Sequence, residues 1–523
     1  MGLGKTFSAV VVGVRAHLIE VEAHLSAGLP GLSLVGLPDP ALNEARDRVR
    51  AAVVNSGLNW PNCRMTVSLS PAWLPKRGSG LDVSIAVAIL AADGQIPAHD
   101  AAKIVALGEL GLDGRIRPAI GALATALALR RATGVVPEVV VAGPVDCLSL
   151  RSVPGLEVVE ASTLRSLVAR LRGEQSDDET DVDFGAVQSV SDVGAVDVVE
   201  KDIADVRGQP GAKRALEIAA AGGHHVALLG RAGVGKTLIA ERLPSLLPDL
   251  GDEQALEVTS IHQLTGKGAS IADGGLIRRP PWFAPHHTAS RAAMVGGGSD
   301  NRPAIGMVSL AHHGVLFLDE AAEFEPGVLD ALREPLESGA VTIARAGFQL
   351  NFPARFQLVL ATNPCPCGNA LDTHRGALCR CTPTARRRYL GRLSGPLLDR
   401  VDVRVVLRKP SLASLSADVA QESSTEIAAR VAQARLCIRE RLRDTPWDLM
   451  VSVPSEELLA LWPLSREARR TLDAACRADS LRGRDRVVRV SWTVAALNGR
   501  SEPSTDDVDE AVALRASEQE WAA

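Results

Sequence analysis

Gly230-Arg231-Ala232-Gly233-Val234-Gly235-Lys236-Thr237 fits the spacing G-x-x-x-x-G-K-T and directly follows the apolar run HVALLG. That spacing suits a phosphate chain. Glycines let backbone N–H groups close around the oxygens, a lysine reaches the β- and γ-phosphates, and a threonine hydroxyl can ligate Mg²⁺. A Gly-rich turn carrying an idle lysine is the plain alternative, and the strand before and helix after the motif argue against it. The similar text GLGKT at Gly2 to Thr6 has no preceding strand and no first glycine, and reads as a decoy. A second piece of chemistry lies at Val315-Leu-Phe-Leu-Asp319-Glu320. Phosphoryl transfer is mostly positioning and charge stabilisation, and two acids at the end of an apolar strand divide that labour. Asp319 would hold Mg²⁺ and Glu320 would polarise the attacking water. The pair of motifs predicts ATP hydrolysis with Mg²⁺.

Cys365-Pro-Cys367 and Cys379-Arg-Cys381 place four thiols in one loop. Four thiolates suit tetrahedral Zn²⁺, and such a site is structural because no position remains open for water. The C-x-C spacing is tighter than the usual C-x₂-C, so a reduced or redox-active cluster stays open beside zinc. His374 lies inside the loop as a spare ligand. Cys63, Cys147, Cys437 and Cys476 stand alone and read as ordinary buried or half-buried thiols.

Elements able to position these groups follow from the chain at large. At 523 residues, with 46% hydrophobic and 23% charged side chains, the sequence is globular and long enough for about three domains. Aromatics at 3% make stacking on exposed rings a poor way to grip nucleic acid, so any such grip would be electrostatic. The net charge of -5 hides local asymmetry, acidic over 173–205 and arginine-rich over 386–408 and 466–489. The first residues lack the form of a leader, and no apolar run reaches about 18 residues, which predicts a cytoplasmic protein without membrane contact.

Residues 1–172 alternate short apolar strands (VVVGV, MTVSLSPA) with helices (ALNEARDRVRAAVVNSG, LDVSIAVAILAA) and predict an α+β domain. Residues 173–200 are acidic, poor in large apolar side chains, and read as a linker. Over 201–411, buried strands HVALLG, GVLFLDE and FQLVLATN alternate with helices, as in a helix-wrapped parallel sheet. Residues 412–523 are almost continuously helical.

GRAGVGKT, FAPHHTASRAAMVGGG, SLAHHGVLFLDE, ATNPCPCG and SGPLLDRVD together closely resemble the bacterial Mg-chelatase-like AAA+ ATPases of the YifB/ComM family, over nearly the whole chain. The resemblance implies a multi-domain α/β protein. Its parts would be a Lon-protease-like (ribosomal S5 domain 2-like) N-terminal domain, a central AAA+ P-loop parallel sheet and a C-terminal helical lid. It gives Asn363 the sensor-1 role, Arg400 that of an arginine finger acting on a neighbouring subunit, and Arg466 that of the sensor-2 arginine, with Arg470 as substitute. Taken alone, Arg400 and Arg466 would be ordinary surface arginines. A finger in trans implies a homo-oligomeric ring, most simply a hexamer. The Lon-type lysine position falls on Ala124 and the serine position near Ser79, which implies no peptidase activity. Lys76, close to Ser79, reads as turn-borne charge available for binding.

Between the two nucleotide motifs, residues 262–310 are long enough to suggest a use, and relatives project insertions there toward the ring pore. VTIARAGFQLNF (341–352) reads as a hairpin with Arg345 beside an Ala-Gly turn. Arg345 is either a solvated hairpin arginine or a DNA phosphate contact, sequence-independent and salt-sensitive. The first reading of function is therefore an ATP-driven ring motor on branched or single-stranded DNA, like ComM-type branch-migration helicases in recombination or transformation. The alternatives are a protein-remodelling motor of the Mg-chelatase kind and a nucleotide-regulated scaffold.

Overall fold

The computed structural model describes residues 2–36, 40–74, 76, 80–132, 137, 139–174, 201–265, 275–299, 302–345, 348–370, 379–410, 421–476 and 481–516. The acidic linker, Ser79 and His374 lie outside these residues, apart from the linker's first two positions. The chain divides into two compact units, Met1–Asp192 with Gly251–Arg278, and Val193–Leu250 with Arg279–Ala523. Both mix α and β structure.

In the first unit the strands of the main sheet are β1 (Gly2–Val12), β2 (Arg15–Ser26), β3 (Gly31–Val35), β4 (Arg64–Ser70), β5 (Ile104–Ala106), β6 (Val139–Ala142) and β7 (Glu157–Glu160). They form one sheet in the order β3-β4-β2-β1-β5-β6-β7. The pairs β1–β2 and β2–β4 are antiparallel, and the others are parallel. Alternating burial along β1 and β2 shows one face covered. The helix Asp82–Ala92 is buried all round and lies against β1. GLGKT therefore sits inside a paired strand. A Cβ on Gly2 would stand 1.7 Å from Ala92 O and one on Gly4 2.2 Å from Ala88 O, so these glycines admit a helix, not a phosphate. Lys5 pairs with Glu20 at 2.5 Å.

Two features of this unit differ from the sequence reading. Gly251–Arg278 packs here although alternation places it with the parallel sheet. Its helix Asp252–Gln263 meets the helix Ala122–Arg131, with Arg130 to Glu253 at 3.2 Å and Arg131 to Glu257 at 3.6 Å. Lys76 is not surface charge. It is buried, its ammonium donates to the Pro71 carbonyl, and burial lowers its pKa. Ala124 is a buried residue of the helix Ala122–Arg131.

In the second unit, besides the short pair Gly297–Ser299 and Arg302–Ala304, the strands are β8 (Val226–Gly230), β9 (Trp282–Phe283), β10 (Val315–Leu318), the hairpin β11 (Ala340–Arg345) and β12 (Phe348–Pro353), β13 (Gln357–Thr362) and β14 (Val403–Leu407). Five of them form a wholly parallel sheet in the order β9-β10-β13-β8-β14. Strands β8, β10 and β13 are buried at every position, which is why their sequences read as unbroken apolar runs. Ser424–Leu442, Arg466–Ala475, Leu481–Leu497 and Thr505–Ala516 are helices. Their buried residues, among them Ile427, Val431, Leu472, Val488 and Trp492, join Val226, Leu228, Phe317 and Val359 of the sheet in one apolar core.

The seam between sheet and helices carries charge as well. Asp402, just ahead of β14, pairs with Arg486 Nε at 3.3 Å and lies 3.3 Å from His224 Nδ1, and His224 Nε2 meets Thr493 Oγ1 at 2.8 Å. Asp402, His224 and Arg486 are all buried.

Candidate active site

The loop 230–237 leaves the end of β8 in a tight turn that two glycines permit. Gly233 and Gly235 have φ of 75° and 100°, the left-handed region that side chains disfavour. A Cβ on Gly230 would stand 2.8 Å from Val234 Cγ1 and 3.1 Å from Leu407 O, so a side chain there would collide with the loop and with β14. Val234 N donates to Arg231 O at 3.3 Å. Lys236 opens the next helix and is 8% exposed. Its ammonium donates to Gly230 O at 2.8 Å, to Arg231 O at 3.0 Å and to Asn363 Oδ1 at 2.9 Å. Burial lowers its pKa, against the opposing pull of Asp319 and Glu320.

Strand order explains why Asn363 is the side chain that arrives. β13 lies between β8 and β10, so the residue leaving β13 falls between the loop and the two acids. Across the same sheet end, Thr237 Oγ1 donates to Asp319 Oδ2 at 2.7 Å. A hydroxyl and a carboxylate side by side are the hard oxygen donors that Mg²⁺ selects, and they leave room for phosphate and water oxygens. The structure thus brings together Lys236, Thr237, Asp319 and Asn363, four residues chosen from sequence.

Glu320 follows Asp319 in an unusual backbone state, with φ 50° and ψ 43°. For a residue with a Cβ this costs on the order of 1 kcal/mol. Its N–H donates to Asp319 Oδ1 at 2.9 Å, and its carbonyl accepts from Glu323 N at 2.7 Å. His287 Nδ1 stands 3.5 Å from its carboxylate oxygen Oε2. Motif spacing does not single out His287. The signal available was the pair His286-His287 shortly after an aromatic dipeptide, and that dipeptide becomes β9, the neighbour of β10.

Arg400 and Arg466 are elsewhere. Arg400 pairs with Glu337 and donates to Pro396 O, and burial, with Arg333 and Arg482 nearby, lowers its pKa. Arg466 is the exposed first residue of a helix capped by Ser465, whose hydroxyl accepts from Ala468 N at 3.2 Å. Among the described residues, neither bonds to Lys236, Thr237, Asp319 or Glu320. The predicted hairpin is present as β11–β12, with Arg345 opposite Phe348. The Ala346-Gly347 turn and the Arg345 side chain lie outside what is described.

The four clustered cysteines converge. Cys365 Sγ lies 3.4 Å from Cys367 Sγ and 3.8 Å from Cys379 Sγ, Cys367 lies 3.5 Å from Cys379, and with Cys381 all four sulfurs fall within 4.8 Å of one another. Zinc–sulfur bonds of about 2.3 Å in a tetrahedron set sulfurs about 3.8 Å apart, so the four thiols fit that ion. Burial pushes Cys365 up to about 12, whereas a backbone hydrogen bond from Asn369 draws Cys367 down to about 6. Arg386 Nη2 approaches Cys379 Sγ at 3.3 Å.

Known proteins share this arrangement of sequence. The family model "Magnesium chelatase, subunit ChlI" matches residues 202–415, "Subunit ChlI of Mg-chelatase" matches 21–141, and "Magnesium chelatase, subunit ChlI C-terminal" matches 421–515. An uncharacterized protein of Mycobacterium tuberculosis is 45% identical over 519 residues, 98% of this chain and 99% of that one. YifB of Escherichia coli, also uncharacterized, is 39% identical over 520 residues, 99% of this chain and 97% of its own. The competence protein ComM of Haemophilus influenzae is 38% identical over 521 residues, 99% and 98% of the two chains. Likeness of that extent, over nearly the whole length of each chain, makes this chain a member of the YifB/ComM family of Mg-chelatase-like proteins.

Proposed function

We propose that the protein is an ATP-hydrolysing AAA+ ring motor that acts on DNA in the cytoplasm. The observation that carries the ATPase reading is the pair of bonds Asn363–Lys236 and Thr237–Asp319, which ties the ends of three neighbouring strands into one corner. In this reading the backbone of Gly230 to Gly235 and the Lys236 ammonium bind the phosphates. Thr237 and Asp319 hold Mg²⁺, which supplies charge neutralisation between the phosphates when bound. Asn363 orients the lysine and the attacked phosphate. Glu320 takes the proton of the attacking water, and His287 holds that carboxylate until it swings in.

Arg400 completes a neighbour's pocket in a hexameric ring. Its single-chain partner Glu337 gives it a resting place, and Arg466 closes from the helical lid. The first unit is a Lon-like domain without the peptidase lysine. Zn²⁺ on Cys365, Cys367, Cys379 and Cys381 is structural.

DNA is favoured as the motor's track by the full-length likeness to a protein named for competence, with Arg345 on the hairpin β11–β12 as the proposed phosphate contact. Branch migration is the activity proposed. The chelatase-type family matches favour protein remodelling as the second reading. ATPase assays with and without branched or single-stranded DNA separate the two: stimulation that fades with salt supports the motor on DNA, and neither stimulation nor salt-sensitive binding rejects it. Glu320→Gln should bind ATP and fail to turn it over, and full turnover in that variant would overturn the assignment of Glu320.

A further inference from the structure

The thiol cluster and the phosphate corner are built on the same wall. Asn363, which accepts from the Lys236 ammonium, is followed after one proline by Cys365. The turn Cys365–Gly368, closed by Gly368 N donating to Cys365 O at 2.9 Å, lies on the phosphate-binding loop. A Cβ on Gly368 would stand 3.5 Å from Ala232 Cβ and 3.6 Å from Ala232 N. Cys379 and Cys381 lead into the helix Pro383–Leu390, capped by Thr382, whose hydroxyl accepts from Ala385 N at 3.2 Å. That helix returns to the same corner. Tyr389 is buried and interacts with Glu323 and Thr362, and Arg392 donates to Ala322 O at 3.0 Å and meets Glu323 at 3.3 Å. Glu323 N in turn bonds the carbonyl of Glu320.

A metal gripping all four sulfurs would therefore weld the exit of β13 to the start of a helix whose other end braces the turn after Asp319-Glu320. The Arg386 guanidinium at Cys379 offsets part of the negative charge that four thiolates bring, the kind of outer contact that tunes a metal centre. Without the weld, Asn363 and the Ala232 turn lose their backing. We infer that metal held by Cys365, Cys367, Cys379 and Cys381 is a prop for the triphosphate corner, so that its occupancy sets the affinity for nucleotide. The inference rests on the zinc reading above and adds a regulatory consequence: agents that remove zinc or oxidise the thiols would silence the motor by weakening ATP binding.

The test uses the full-length protein. A fluorescent ATP analogue is titrated in excess Mg²⁺ before zinc removal, after removal with a zinc-selective chelator, and after zinc is returned. Metal per chain is counted by mass spectrometry and helix content followed by circular dichroism on each sample. Expected are about one zinc per chain, about tenfold weaker nucleotide binding on removal, the worth of one charge-assisted hydrogen bond, unchanged helix content, and recovery on return. The double variant Cys367→Ser with Cys381→Ser should copy the stripped protein, and Cys437→Ser, at an exposed solitary thiol, should copy wild type. Should the double variant fail to fold, removal and return in wild type decide alone.

Protein that binds neither zinc nor cobalt overturns the zinc reading and the prop together. Protein that takes the metal yet binds nucleotide within about twofold with and without it overturns the prop and leaves the zinc reading standing. Loss of helix content on removal also overturns the prop, because the metal would then hold the whole unit.

Discussion

Asp146 in the first unit and Asp402 in the second are both buried carboxyls, and they behave in opposite ways. Asp146 accepts one backbone hydrogen bond, from Ala119 N at 2.8 Å, and burial raises its pKa to about 7. Asp402 is just as enclosed, but its hydrogen bond to His224 and the nearby Arg486 and Arg489 outweigh burial and hold it well below the usual carboxylate range. Burial alone thus fixes neither charge state; the balance between burial and the partners that share it does. At two other buried groups burial wins that balance. Asp82 is raised to about 6 although Arg48 grips it at 2.9 and 3.2 Å, and buried His225, whose Nδ1 accepts from Leu358 N at 3.0 Å, is lowered to about 4.

The strongest way to break the comparison is to remove a partner in the second unit. Asp402→Ala takes away the buried carboxylate that lies 3.3 Å from buried Arg486. It should destabilise that unit by about 3–5 kcal/mol, read from the denaturation midpoint of the second unit, and a change of only a few tenths would show that the charges were not coupled.

The pH dependence comes next. The folded first unit keeps protons on Asp146 and Asp82 that the unfolded chain releases above about 3.8, so these groups stabilise it fully below that pH. That contribution fades as pH rises to about 7, at up to about 1.4 kcal/mol per pH unit for each group. In the second unit, His225 refuses a proton that the unfolded chain takes below 6.5, and Asp402 refuses one taken below 3.8. Stability there is present above 6.5 and is lost as pH falls. Hydrogen exchange followed separately in the two units from pH 8 to 5 should show the first gaining protection and the second losing it. Movement in the same direction would refute the contrast.

A milder change sharpens it. Asp146→Asn keeps an acceptor for Ala119 N and removes the titration, so the slope of the first unit between pH 4 and 7 should flatten by about 1 kcal/mol per unit, with little change near pH 4. An unaltered slope would place its origin elsewhere.

The parts of the fold legible in the sequence are those where one physical demand wrote the pattern. Strands β8, β10 and β13 are buried on both faces and so read as apolar runs, and the loop glycines mark the turn that needs them. β9 escaped because two residues carry no period. β14 escaped because Arg404 sits within it and reads as solvent-facing, whereas the side chain is 6% exposed and donates to Leu398 O at 2.8 Å. The allegiance of Gly251–Arg278 is a matter of tertiary packing that local alternation does not encode. At the site, Lys236, Thr237, Asp319 and Asn363 follow from motif and resemblance. His287 does not, because its nearness to Glu320 depends on β9 lying beside β10 and on a left-handed backbone at Glu320. The roles proposed for Arg400 and Arg466 come from resemblance alone, since neither side chain bonds to Lys236, Thr237, Asp319 or Glu320 among the described residues.

Tyr389 is the single tyrosine among the 523 residues, and it is buried on the helix that follows the cysteine loop, where it interacts with Thr362 at the end of β13. Nature has in effect placed a solitary spectroscopic label at this junction. Fluorotyrosine incorporated during growth would give one fluorine resonance, free of background, able to register nucleotide arriving on one side and metal leaving on the other.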